Sequence, residues 1–426
     1  MYKSKKLSNG LEIVTAPLAG AKTVTVLVMA ATGSRFEDRQ TSGLSHFLEH
    51  LFFKGTFKRP TTLAISSDLD RVGGEFNAFT GKEYTGFYVK IEARWLELAL
   101  DVLSDMLLNS KFAAEEIERE KGVVIEELNM YLDNPLVLIE DLFENCLYGN
   151  TPAGRDTIGT KKTILSFNRQ SLLDYVNAQY SADKMIVVLA GGFGSSAADL
   201  GNKYFGALMK KKYRDKLPTD DRQAGPRLKF HYKKTDQAHL SLGVRTYFSG
   251  HQDELTAKLL AITLGGTMSS RLFTELRERR GLAYYVRTHD EPYTDSGYLT
   301  TQAGVPIGKL ADAIRIILAE YKKLADQPVK AEELNRVKQC LIGRQALQLE
   351  ASDQVADWYG RQIILAKEQS RPRPVLTPEN YYAKIGAVSA RDLSRAARKI
   401  FINQHLNLAV IGPCKRAEEF EKMLKL

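Results

Sequence analysis

Two pairs of similar segments, separated by about half of the chain, constrain the fold more strongly than any other feature of the sequence. Residues 113–119 resemble residues 330–336, and residues 175–191 resemble residues 396–412, where the end of a helical pattern is followed by an apolar run. A pattern repeated at one long offset indicates two related structural units, whereas a solenoid repeats about every 20–50 residues. The sequence therefore predicts a tandem pair of homologous domains.

The segment between the two halves has the composition of a linker. Residues 210–226 are charged, contain two prolines and show almost no apolar periodicity. Such segments connect domains and do not bury an apolar face of their own. We therefore predict an N-terminal domain at residues 1–212, a linker at residues 213–227 and a C-terminal homologous domain at residues 228–426.

Strand-like and helical patterns are mixed within each half. Residues 24–30 and 84–91 read as strands, the second of them rich in aromatic and β-branched residues. Residues 95–108 and 112–132 carry helical patterns, and the Asp-Asn-Pro sequence at 133–135 ends the second helix. This mixture favours an α+β fold in which each domain packs helices on one face of a mixed or antiparallel sheet.

Composition and charge exclude several classes of protein. Hydrophobic residues make up 44% of the chain and charged residues 26%, which are ordinary globular values. The net charge of +9 comes from basic residues spread along the chain, so no nucleic-acid partner is predicted. The three cysteines are far apart and indicate a reducing compartment. No stretch has the length of a signal or membrane-spanning segment, so we expect no membrane insertion and a cytoplasmic location.

Two histidines at helical spacing form the decisive motif. His46 and His50 are four residues apart in a helical pattern, so both imidazoles lie on one face and can reach a single zinc ion. Glu49 shares that face and can act as a base toward a water molecule. This HxxEH order is typical of the inverted class of zinc peptidases. A pair of histidines on a surface helix without a metal is the alternative.

The third ligand of a catalytic zinc site must come from another element. Glu120 and Glu127 are seven residues apart on the helix predicted at 112–132, and therefore lie on nearly the same face. Such a pair suits one ligand and one carboxylate that orients a ligating histidine. Spacing alone leaves open that both are solvated acids of a helix surface, because other glutamates occur nearby.

The sequence HFLEHLFFKGT at residues 46–56 resembles the signature of the pitrilysin (M16) peptidase family, which includes insulin-degrading enzyme, mitochondrial processing peptidase and their bacterial relatives. The resemblance extends over nearly the whole chain, including the tandem halves. It implies one zinc ion per chain, held by His46, His50 and Glu127, with Glu120 behind a ligating histidine. It also implies that the chain resembles half of a clamshell, with a second chain as the other half.

The same resemblance indicates residues that hold the substrate. Asn77, Ala78 and Phe79 match a family segment in which an edge strand receives the substrate as an added strand. The physical basis is sound, because an edge strand has unpaired N–H and C=O groups. Core packing is the alternative for Phe79.

In the second half, residues 270–286 resemble a family segment with an arginine and a tyrosine seven residues apart, which points to Arg277 and Tyr284. An arginine and a phenol can bind a substrate carbonyl and stabilise its developing negative charge. Three neighbours leave the choice open: Arg279, Arg280 and Tyr285. The alternative is a basic helix that ends at Gly281. At the position equivalent to Glu127 the second half has Arg344, so no zinc site is predicted there.

These features predict a zinc-dependent endopeptidase that cleaves unfolded peptides inside a chamber formed by two chains. A homodimer is expected, because one chain carries both the metal motif and the Arg/Tyr pair. A catalytic subunit of a heterodimeric peptidase and a non-catalytic scaffold of the same fold are the alternatives. The GxGxxA pattern at residues 192–197 resembles a dinucleotide-binding turn, but the linker occupies the place where an acidic residue is required.

Overall fold

A computed structural model describes residues 2–369, 373–414 and 417–426 of the chain. These residues form two compact units. Unit 1 comprises the described residues of Met1–Asn129, Asp156–Leu217 and Gln345–Thr377, and unit 2 those of Met130–Arg155, Pro218–Arg344 and Pro378–Leu426. Each unit therefore contains a segment from the opposite half of the sequence.

Unit 1 is built on a mixed sheet. Its strands are β1 (Lys3–Lys6), β2 (Glu12–Pro17), β3 (Thr23–Ala30), β4 (Glu75–Thr80), β5 (Thr85–Glu92) and β6 (Met185–Gly191), in the spatial order β1-β2-β6-β3-β5-β4. β2 and β6 are parallel, and the other neighbours are antiparallel. β3 and β6 are almost entirely buried, which explains why both read as continuous apolar runs. β4 lies at one edge of the sheet.

The helices that belong to unit 1 come from both halves of the sequence. They are α1 (Leu44–Phe52), α2 (Thr62–Asp70), α3 (Leu96–Asn109), α4 (Ala114–Asp133, except its last turn), α6 (Lys161–Ser166), α7 (Arg169–Gln179), α8 (Ala197–Phe205) and α12 (Ser352–Ala366). Helices α3 and α8 cover the face of the sheet that carries Ile13 and Phe87. The opposite face, with Leu27 and Met29, is covered by α12.

Unit 2 repeats this plan with a sheet of the order β7-β11-β8-β10-β9. Its strands are β7 (Arg227–Tyr232), β8 (Gln237–Arg245), β9 (Tyr285–Pro292), β10 (Gly297–Pro306) and β11 (Leu406–Gly412). Its helices are α5 (Pro135–Tyr148), α9 (Glu254–Gly265), α10 (Leu310–Asp326), α11 (Ala331–Gln348, except its last turn), α13 (Pro378–Ala387), α14 (Ala390–Ile400) and α15 (Ala417–Glu421). Among the described strands of this second sheet, β7 and β11 are parallel and the other neighbours are antiparallel. The prediction of an α+β fold with mixed sheets is confirmed.

The two halves exchange one helix each. Helix α5 comes from the first half, and its Ile139 and Phe143 pack in unit 2 with Ala409 and Ile411 of β11. Helix α12 comes from the second half and packs in unit 1 on β3 and β6. The predicted boundaries at 1–212 and 228–426 describe the sequence repeat, whereas the compact units interleave the two halves. The exchanged helix also adds a second helical layer to the predicted one-sided sheet of unit 1.

The linker predicted at residues 213–227 has no helix or strand until β7 begins at Arg227. Its first residues are bound to unit 1: the Tyr213 hydroxyl donates to the carbonyl of Ala31, and the Arg214 guanidinium donates to that of Phe36. In the described part of the chain, no helix combines the length and the apolar character needed to cross a bilayer.

Candidate metal centre

The helix with the two histidines begins at a tightly packed turn. Gly43 precedes α1 with a φ of +94°, and a Cβ at this position would lie 2.4 Å from the carbonyl oxygen of Ile158, so only glycine fits. The buried carboxylate of Glu37 accepts hydrogen bonds from the backbone N–H groups of Gly43 and Ser45 at 2.8 and 2.7 Å. A negative charge at the N-terminal end of a helix also interacts favourably with the helix dipole. These contacts fix where α1 starts and thus which residues face the site.

Along α1, the apolar residues face the core, and the residues that could bind a metal or transfer a proton lie on the other face. Leu44, Phe47, Leu48 and Leu51 are buried. His46, Glu49 and His50 are half-buried on the remaining face. The helical periodicity therefore presents both histidines and the glutamate together, as the sequence predicted.

His46, His50 and Glu127 meet at one point, where one possible ligand atom from each lies within 4.8 Å of the others. The Nε2 atom of His46 is 3.6 Å from Oε1 of Glu127, and Nε2 of His50 is 3.4 Å from Oε2. Four ligands at 2.0–2.1 Å from a tetrahedral zinc ion lie about 3.3 Å apart. These separations therefore fit a zinc ion better than the 2.7–2.9 Å of charge-assisted hydrogen bonds. Two imidazoles and one carboxylate are also a catalytic zinc donor set.

Glu120 lies behind this group. It is 1% exposed, and its Oε1 atom is 2.9 Å from Nδ1 of His50. The Lys54 ammonium lies 2.6 Å from the other oxygen, Oε2. Burial alone would raise the pKa of Glu120, but the hydrogen bonds with His50 and Lys54 outweigh it and lower that pKa. The charged carboxylate thus holds the His50 ring with Nε2 turned toward Glu127.

The charges around His50 also change its protonation. Burial alone would lower the pKa of His50, but hydrogen bonds with Glu120 and Glu127, and the charges of these two residues, raise it to about 9. A proton and a metal ion therefore compete for this ring, because only a neutral imidazole is a ligand.

Two residues of the site were not found from the sequence. Lys54 lies four residues after His50, just beyond the end of α1, and pairs with Glu120. Thr80 lies at the end of β4, and its hydroxyl donates a 2.5 Å hydrogen bond to Oε2 of Glu49. The spacing of Lys54 from His50 was a usable signal, whereas nothing in the sequence links Thr80 to Glu49.

The predicted substrate segment lies on β4, the edge strand next to β5. Asn77 pairs in register with Tyr88, Ala78 with Phe87 and Phe79 with Gly86. The Phe79 ring is half-buried over Gly86, on the same side of the sheet as α12, so its side chain faces away from α1. The Asn77 side chain accepts a hydrogen bond from the Ala78 N–H at 2.8 Å. The segment is at an edge, as predicted, and Phe79 serves packing there.

The predicted arginine and tyrosine of unit 2 are neighbours in space. The Arg277 guanidinium donates to the Tyr284 carbonyl at 3.0 Å and lies 5.3 Å from the centre of its ring. Tyr284 is 78% exposed, which leaves its phenol accessible. Arg277 belongs to a π-helical turn at Phe273–Glu278, a distortion common at functional sites.

The neighbouring residues that left the choice of arginine and tyrosine open have other partners. Arg279 and Arg280 both pair with Glu275. The Tyr285 hydroxyl lies 3.0 Å from Nδ1 of His239. Gly281, where the alternative interpretation placed the end of a basic helix, has a φ of +57° and lies three residues beyond Glu278, the last residue of the π-helical turn. The geometry thus groups Arg277 with Tyr284.

Comparison with known proteins agrees with this centre. Residues 12–161 match the family model described as insulinase, peptidase family M16, and residues 166–341 match the model of the M16 inactive domain. A Bacillus subtilis protein named uncharacterized zinc protease YmxG is 34% identical over 420 residues, which cover 97% of this chain and 98% of that protein. The chain belongs to peptidase family M16.

Further similarities cover this M16 chain almost completely. A Mycobacterium leprae protein named uncharacterized zinc protease ML0855 is 32% identical, over 99% of this chain and 94% of that protein. A crystal structure of a protease from Helicobacter pylori superposes with a TM-score of 0.89 at 24% identity, over 97% of this chain and 99% of that chain. The zinc named for the Bacillus subtilis and Mycobacterium leprae proteins agrees with the donor set found here.

The two M16 units of this chain differ in their metal-binding residues. Within the residues that the structure describes, the group of His46, His50 and Glu127 is the one cluster suited to hold a metal ion, and it lies in unit 1. Arg344 of unit 2 occupies the place in α11 that Glu127 occupies in α4. This agrees with the match of residues 166–341 to a domain described as inactive.

Proposed function

We propose that the protein is a zinc-dependent endopeptidase that cleaves unfolded peptides. The observation that carries this proposal is the separation of 3.4–3.6 Å between the two histidine Nε2 atoms and the Glu127 carboxylate, which fits a zinc ion. A second carboxylate, Glu49, lies on the same helix outside this ligand group and is held by Thr80. A metal with an adjacent base that is not a ligand is the arrangement of zinc peptidases.

In this mechanism His46, His50 and Glu127 hold the zinc ion, and Glu120 with Lys54 keeps the His50 ring in place. Zinc bound there supplies a Lewis acid that polarises the scissile carbonyl and makes a water molecule acidic. Glu49 takes a proton as the water oxygen bonds to the carbonyl carbon. It then gives that proton to the amine nitrogen as the C–N bond breaks.

The substrate in this proposal is an extended peptide that adds to β4. The backbone of Asn77, Ala78 and Phe79 provides the pairing groups of the edge, so the main chain of the substrate supplies most of the recognition. Most strands of a folded protein are already paired within a sheet, which is why we propose unfolded peptides. Arg277 and Tyr284 bind the substrate carbonyl and stabilise the charge that develops there.

The proposed active assembly is a homodimer in which two chains enclose a chamber. The support is that one chain carries both the residues of the metal group and the exposed Arg277–Tyr284 pair, so that two identical copies supply every component. The pair of one chain would then act on the substrate bound at the zinc of the other. A heterodimer with a different subunit is the alternative, and a cytoplasmic location stays a prediction.

Removal of the metal should abolish peptide cleavage. Dialysis against a chelator is expected to bring cleavage of an unstructured fluorogenic peptide to background, and addition of equimolar zinc to restore it. Magnesium should not restore it, because two imidazoles and one carboxylate favour zinc over a hard cation. Zinc content is measured by atomic emission. Cleavage that persists without detectable zinc would refute the proposal, and a chain that neither binds zinc nor cleaves peptides would favour the scaffold alternative.

A mixture of two inactive variants should recover activity if chains complete each other. One variant is Glu49→Gln, and the other combines Arg277→Ala with Tyr284→Phe. When equal amounts of the two variants are unfolded and refolded together, half of the dimers contain one chain of each variant. Each mixed dimer has one intact site of two, so about a quarter of wild-type activity is expected. If one chain completes its own site, the mixture stays inactive. Gel filtration of each protein checks that dimers form.

A further inference from the structure

A hydroxyl at the end of the edge strand holds the proposed base. Thr80 is the last residue of β4, and its Oγ1–H donates a 2.5 Å hydrogen bond to Oε2 of Glu49. The two residues are 31 positions apart, so the contact depends on the packing of β4 beside α1. We propose that Thr80 is a positioning residue, which orients Glu49 for proton transfer and links the substrate-binding strand to the base. This inference rests on the proposed peptidase function.

The bond restricts a side chain that is otherwise free to rotate. The last torsion of a glutamate is broad and roughly two-fold, so its carboxylate samples many orientations when no partner fixes it. Thr80 occupies Oε2, which leaves Oε1 as the oxygen that takes the proton of the attacking water. A fixed carboxylate reaches the reactive geometry without a further loss of freedom, and misplacement by about 1 Å can cost a factor of 10².

The position of Thr80 on β4 gives the bond a second consequence. Strand alternation places Phe76, Ala78 and Thr80 on the same face of the edge strand. Phe76 stacks on Phe53, the residue that follows α1, so this face lies against α1. A peptide that pairs with the edge of β4 therefore binds to the same strand whose last side chain holds the base. One hydroxyl thus connects the strand proposed to receive the substrate with Glu49.

The neighbouring strand supplies a matched control. Thr85 of β5 is the register partner of Thr80, and both are threonines with a hydrogen-bonded hydroxyl. Thr85 is fully buried, and its hydroxyl donates to the carbonyl of Thr32 at 2.9 Å. Because this hydroxyl donates to Thr32, its loss is expected to lower the stability of the sheet and to leave the hydrogen bond between Thr80 and Glu49 in place. Thr80→Val and Thr85→Val therefore remove the same group from paired positions.

The test compares Thr80→Val, Thr80→Ser and Thr85→Val with the wild type in zinc affinity, kcat and KM. For Thr80→Val we expect kcat to fall by roughly 10- to 100-fold, while the zinc Kd and KM stay within about twofold. Thr80→Ser keeps the hydroxyl and should restore most of kcat. Thr85→Val should lower the melting temperature and leave kcat of the folded enzyme unchanged. In the Glu49→Gln background, Thr80→Val should cause no further loss.

Three results would overturn the inference while the peptidase proposal stands. They are a kcat of Thr80→Val within about twofold of wild type, a zinc Kd that weakens in step with kcat, and a serine variant as impaired as the valine one. Absence of zinc-dependent cleavage in the wild type would instead remove the proposed function, and this inference with it.

Discussion

Glu49→Gln is expected to bind zinc as the wild type does and to lose kcat by about 10²- to 10⁴-fold, the range that a positioned general base contributes. Glutamine has nearly the same shape and keeps an oxygen that can accept the hydrogen bond from Thr80. It cannot take a proton from water. Because His46, His50 and Glu127 are unchanged, the zinc content should be unchanged.

Glu127→Gln is expected to differ from Glu49→Gln in its zinc content. This variant alters a ligand, so zinc and activity should be lost together. Glu118→Gln is the control, because Glu118 lies on the same helix α4 with 68% of its side chain exposed and should change neither quantity. Zinc is measured on the purified proteins and kcat on one unstructured peptide. Unaltered cleavage by Glu49→Gln would exclude Glu49 as the base, and loss of zinc from it would assign Glu49 to the ligand set.

Gly360→Leu is expected to lower the free energy of unfolding by about 1–3 kcal/mol, through overpacking of unit 1. A Cβ at Gly360 of α12 would lie 2.7 Å from Sδ of Met29 and 3.3 Å from Cδ2 of Leu27. Both neighbours belong to β3 and are buried, so a leucine side chain requires these side chains to repack or α12 to move away from the sheet. A displaced α12 exposes the apolar face that it covers.

Gly343→Leu is the matched control for this prediction. Gly343 is an exposed residue of helix α11, and a Cβ there meets nothing within 4 Å. Leucine is a better helix former than glycine by roughly 0.5–1 kcal/mol, so this variant should be neutral or slightly more stable. Thermal and urea unfolding measure both proteins. Equal stability of the two variants would show that α12 does not pack closely on β3.

Local patterns explain how much of the site was predictable. The four-residue spacing of His46 and His50 and the seven-residue spacing of Glu120 and Glu127 are properties of single helices, so the sequence states them directly. The hydrogen bond between Thr80 and Glu49 joins a strand to a helix, and it depends on tertiary packing that periodicity does not encode. For this reason the sequence indicated the base but not the residue that holds it.

In the fold, too, the local features were predictable from the sequence and the long-range packing was not. The patterns at residues 24–30 and 84–91 predicted two strands, and β3 and β5 lie there, next to each other in the sheet of unit 1. An amphipathic helix such as α12 shows that one face will be buried, but it does not show against which sheet. The sequence repeat suggested two contiguous domains. The exchange of α5 and α12 between them depends on contacts between residues that are far apart in the sequence, and the repeat does not show these contacts.

The exchange of α12 sets an order of events during synthesis. Once β6 has left the ribosome, the sheet of unit 1 has all its strands, but one apolar face stays open until residues 352–366 have been translated. At bacterial and eukaryotic rates of about 5–20 residues per second, this delay lasts roughly ten to thirty seconds. A nascent chain halted within the second half would thus expose this apolar face to chaperones and proteases. The metal-binding half is therefore protected from them only after the second half of the same chain has been synthesised.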